Sequence, residues 1–101
     1  MTPPEPGCDL FVDAADPDAV LAELSTHLGV PPSYSHLSPP GFEVRVGRNR
    51  LADGAGADSD DFLDWPTLVE VSARPGEDLT TFVAALTTAL RTAGHRVAAV
   101  D

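Results

Sequence analysis

The sequence predicts an α+β domain in which a four-stranded antiparallel sheet carries two helices on one face. Three observations carry that reading. Two amphipathic helical patterns each need a surface to cover, four short apolar-rich runs read as strands, and together they follow the order βαββαβ.

The chain begins with an expected flexible N-terminal arm over residues 1–7, because Pro3, Pro4 and Pro6 pin φ and remove backbone donors. Residues 8–101 are expected to form a single domain. From Cys8 to Asp13 the residues alternate, with Cys8, Leu10 and Val12 on one face and Asp9, Phe11 and Asp13 on the other, as in a half-buried strand. Asp16 stands where a helix N-cap is wanted. Pro17 follows in the first turn, where a missing N–H costs nothing, and Asp18 suits the positive end of the dipole. Val20, Leu21, Leu24 and Leu28 recur at helical spacing as far as Gly29, which suits a left-handed residue past a helix end, and Pro31-Pro32 prevents continuation.

Residues 31–41 show no periodicity and are expected to be a proline-rich loop, partly ordered by Tyr34 and Leu37. Phe42, Val44 and Val46 then alternate with Glu43, Arg45 and Gly47 in a second strand. The glycines and aspartates of residues 53–61 predict an exposed loop. Trp65 to Ser72 reads as the third strand, with Pro66 tolerated at its start. Arg74-Pro75-Gly76 turns the chain and Asp78 can cap a second helix. Its stripe of Leu79, Phe82, Val83, Leu86, Leu90 and Ala93 runs to Gly94, and Val97 to Val100 forms the last strand. Leu24, Leu28, Val44, Val69, Phe82, Leu86 and Leu90 are the expected core. A ferredoxin-like sandwich, with antiparallel strands in the order 4-1-3-2, satisfies both helices. Its open face would carry Asp9, Phe11, Glu43, Arg45, Leu68 and Glu70.

The 101 residues hold sixteen acidic side chains against six basic ones, a formal charge of −10. A chain this negative repels phosphate, so no nucleic-acid partner is expected. No apolar run approaches the roughly 18 residues of a membrane span, and the start lacks a secretory pattern. A cytoplasmic protein with no membrane partner is therefore expected. Cys8 alone cannot form an internal disulfide and reads as a small core residue. Every basic residue is arginine, while Lys, Ile and Gln are absent, a composition pointing to a GC-rich, actinobacterial source.

In the expected topology the turn carrying Asp13, Asp16 and Asp18 shares one pole with the hairpin carrying Asp53, Asp58, Asp60, Asp61 and Asp64. Such a field steers encounter with a basic protein, so this pole is the expected partner-binding surface. Trp65 is its candidate anchor; the other reading of Trp65 is a core aromatic closing the sandwich end. Phe11, Arg45 and Leu68 on the open sheet form the alternative surface, and a second subunit in a homodimer or the proline-rich loop could cover Phe11 and Leu68. The acidic loop lacks the spacing of an EF-hand, and a single copy of a nonapeptide-like stretch cannot build a calcium site. Cys8, His27, His36 and His95 show no ligand spacing, and neither a phosphate loop nor a nucleophile elbow is visible. No metal, cofactor or enzymatic activity is expected; His27 and His95 read as structural residues.

The segment Phe62-Leu63-Asp64-Trp65-Pro66-Thr67-Leu68-Val69-Glu70-Val71, with the helix after it, resembles small acidic proteins common in actinobacteria. The layout of the whole chain is also similar to immunity proteins of bacterial polymorphic toxin systems. That resemblance implies a cytoplasmic inhibitor that neutralises a basic cognate toxin, often a nuclease. It transfers no toxin-binding residue, so the site above rests on charge alone. Two other classes share the element order. One is an amino-acid-binding regulatory domain of the ACT type, which would need a glycine-containing turn where Asp13-Ala14-Ala15-Asp16 stands. The other is a small dimeric α+β barrel enzyme, for which no acid/base pair is seen.

Overall fold

The computed structural model describes residues 7–49 and 65–100, so the expected arm, apart from Gly7, and the Gly/Asp loop lie outside the described residues. The elements among the described residues are β1 (Gly7–Val12), α1 (Pro17–Leu28), β2 (His36–Leu37), β3 (Phe42–Arg48), β4 (Thr67–Ala73), α2 (Leu79–Thr92) and β5 (Val97–Val100). They form one five-stranded sheet in the order β2-β3-β4-β1-β5, with every pairing antiparallel. Read from β5, four strands follow the expected order. The fifth, β2, corrects the expected count of four and lies in what was expected to be loop.

β2 escapes a periodicity reading because two residues cannot show alternation. Tertiary packing makes it a strand: Leu37 pairs with Val44 and is fully buried, and Ser33 and His36 exchange backbone hydrogen bonds of 2.8 and 3.0 Å. Tyr34 does not help order this segment as expected. It is 98 % exposed, at a left-handed φ of 58°.

The helix ends follow local chemistry. Asp16 caps α1 by accepting a hydrogen bond from the Asp18 amide at 3.0 Å, and Gly29 takes φ 68°, which lets its N–H close on the Ser25 carbonyl. Asp78 caps α2 by accepting from the Thr81 amide and hydroxyl. Both helices pack on the sheet face that carries Leu10, Val12, Val44, Val46, Val69 and Val71. Leu24, Leu86 and Leu90 fill the interior between them without exposed area, while Leu28 and Phe82 flank it. Phe82 stacks flat on Phe42 with ring centroids 3.8 Å apart. Cys8 is buried at the edge of this core. No helix among the described residues is long and apolar enough to cross a membrane.

Candidate functional site

The pole beyond the C-terminal end of β1 is built from chain segments distant in sequence. β1 ends beside β5, so the Asp13 amide donates to the Arg96 carbonyl at 2.9 Å. The Arg96 side chain turns back onto Asp13, and Nε and Nη2 donate to one carboxylate oxygen at 2.9 and 2.7 Å. The same guanidinium lies 5.0 Å from the ring centroid of Trp65, within cation–π range. Behind them Thr67 is fully buried and donates to the Ala14 carbonyl at 2.7 Å, while Asn49 Nδ2 donates to the Trp65 carbonyl at 2.8 Å and the Asn49 amide to the Pro66 carbonyl. Asn49 and Trp65 are thus joined to each other beside the β1–α1 turn. A buried threonine and asparagine are tolerated here because their hydrogen bonds replace those lost to water.

This arrangement sorts the expected partner-binding residues. Asp13 is tied to Arg96, and Asp16 is committed to capping α1. Trp65 is only 8 % exposed, which matches the end-closing aromatic rather than a surface anchor. Asp53, Asp58, Asp60, Asp61 and Asp64 lie outside the described residues. Arg96, Asn49 and Thr67 were missed as members of the pole. Only Arg96 left a signal: if β1 and β5 pair antiparallel, the residue before Val97 must stand beside the residue after Val12.

The open face of the sheet has a different character at its two ends. Register places Phe11 beside Leu68 and Leu68 beside Gly47. Phe11 is 6 % exposed and Leu68 half-buried, so Phe11 is covered within the single chain. Arg45, the third residue of that alternative surface, is exposed. Two strand residues further along the same face, a cleft of about 450 Å³ is lined by Asp9, His36, Glu43, Arg45, Glu70 and Ser72 among others. Its edge is tied down by Glu43, whose Oε2 accepts from Ser38 Oγ at 3.0 Å and meets His36 Nε2. The Ser38 hydroxyl holds the Glu43 carboxyl below its usual range against partial desolvation, and His36 and Arg74 act in the same direction as Ser38.

The contact order Ser38–Glu43–His36 is not a nucleophile relay. A serine is activated when an imidazole accepts its proton, whereas here the carboxylate stands between the hydroxyl and the ring. His95 is likewise held by Glu23, at 2.9 Å. Among the described residues, no three His, Cys, Asp or Glu side chains come together as metal ligands. No family model, curated protein or solved structure gives a significant match to the chain.

Proposed function

We propose that the chain is a non-enzymatic protein-binding domain of ferredoxin-like architecture, an immunity-type inhibitor that docks a basic partner in the cytoplasm. One observation carries the reading. Arg96 joins Asp13 to Trp65, the residue that directly follows the segment bearing Asp53, Asp58, Asp60, Asp61 and Asp64 in the sequence. Acidic residues clustered in this part of the sequence, on a chain of net charge −10, favour faster encounter with a basic surface more than a tighter final complex. Arg96 and Trp65 act as the frame of the docking surface, and the aspartates supply the field.

The test compares capture from extracts of the source organism by the wild-type chain and by a variant with Asp58, Asp60 and Asp61 changed to Asn. Association rates of the captured protein with both forms are then measured across salt. The expected result is a basic partner whose association is slower and less salt-dependent with the variant, while the melting temperature is unchanged. Equal association rates at every salt concentration remove the acidic-pole reading.

A further inference from the structure

Four polar side chains stand in one line across the exposed sheet face. Register pairs His36 with Arg45, Arg45 with Glu70 and Glu70 with Asp9, so they occupy β2, β3, β4 and β1 in spatial order. Directly paired residues share a face, and neighbouring strands are about 4.8 Å apart. On the β3 side of the β3–β4 seam the line carries Arg45 and His36, the latter already engaged by Glu43 of the same face, and on the other side it is acidic. Asp9 and Glu70 are like charges placed side by side, an arrangement that weakens a sheet when nothing faces it. Asp9, Arg45 and Glu70 are exposed, and among the described residues no hydrogen bond or ion pair engages their side chains.

The margins of the line carry a second signal. Beyond Asp9 the line ends at Val100 on β5, 38 % exposed, and the turn entering β2 at the opposite margin carries Tyr34, 98 % exposed. These are the exposed large hydrophobic residues among those described. Tyr34 is also held at φ 58°, a backbone conformation that bulky residues seldom adopt.

We propose that this face is the contact surface of a homodimer, covered by a second copy of the chain. The twofold axis runs along the strands above the β3–β4 seam. Rotation about it reverses the line, which sets Arg45 over the partner's Glu70, Glu70 over the partner's Arg45, and His36 over the partner's Asp9. It also brings the Tyr34 margin of each copy over the Val100 margin of the other. A surface that is its own complement under a twofold is what an isologous dimer requires. Face-to-face sheets sit about 10 Å apart, a gap that an Arg and a Glu side chain bridge together. Aligned sheets cross at about 30°, so residues nearest the axis keep their register while outer ones drift. The two Arg45–Glu70 pairs therefore set specificity, and His36, whose Nε2 already meets Glu43, contributes less. Asp13 and Asp16 lie beyond the end of β1, outside this line.

The experiment is sedimentation of the full chain from about 1 to about 100 μM, a range that spans weak to moderate dimers. It is run at about 150 mM salt, where long-range repulsion between two chains of this charge is screened while close pairs are not. The wild type should dimerise. Arg45→Glu and Glu70→Arg should each raise the dimer Kd by about tenfold or more, since like charges then face each other. The double variant R45E/E70R should dimerise again, and mixing the two single variants should form dimers containing one copy of each. Circular dichroism identifies a variant that has lost its fold; Arg45→Gln and Glu70→Gln then replace it, with the same expected direction. A wild type that stays monomeric throughout, or a dimer indifferent to the single reversals, overturns the proposal. Neither result bears on the Asp58, Asp60 and Asp61 variant, so the docking reading stands or falls separately.

Discussion

Glu43 keeps its proton less readily than a free glutamate because the Ser38 hydroxyl donates to Oε2 at 3.0 Å, an interaction that favours the ionised acid. Asp78 is lowered in the same way by the Thr81 hydroxyl and amide at the start of α2. A carboxyl whose folded pKa lies below its unfolded value contributes stability that is complete above the unfolded value and is lost as pH falls through the folded one. The loss from Glu43 should therefore begin below its ordinary value of 4.5. Ser38→Ala should move the Glu43 titration, followed by NMR of the side-chain carboxyl, up toward that value, and an unmoved titration would assign the shift to another group. Thr87 presents the opposite case. Its Oγ1 is buried and makes no hydrogen bond, so part of its desolvation goes uncompensated. Thr87→Val keeps the shape, removes the hydroxyl and should raise stability by about 1 kcal/mol in urea denaturation.

At the scale of the elements, α2 is the main lid of the core. Its buried stripe of Val83, Leu86 and Leu90 faces β1, β4 and β5. Leu86→Ala leaves a cavity that neighbours on two layers cannot collapse to fill, and should cost about 3 kcal/mol in the same denaturation measurement. A loss below about 1 kcal/mol would mean that α2 is not packed at native density. α1 and α2 were legible because each marks its own ends: Asp16 and Gly29 bound one, Asp78 and Gly94 the other. β2 was not legible. Its strand character comes from a partner, β3, and from one buried side chain, Leu37, both of which exist only after the chain has folded.

For the whole molecule, a formal charge of −10 on a chain whose Cα radius of gyration is 13.2 Å means self-repulsion on a scale similar to the Debye length at physiological salt. Raising salt from about 10 to about 150 mM should therefore raise the melting temperature, and a flat profile would show that the charges are spread too widely to repel. The sequence by itself determined the α+β class, the two helices with their caps, four of the five strands and five fully buried core residues: Leu24, Val44, Val69, Leu86 and Leu90. These follow from periodicity and capping, which act over a few neighbouring residues. Only the tertiary structure decided that Arg96 engages both Asp13 and Trp65, that Phe11 is buried, and that His36, Arg45, Glu70 and Asp9 form one line. Each of these depends on which strands lie side by side and in what register, and register is set by long-range packing rather than by any local run of residues.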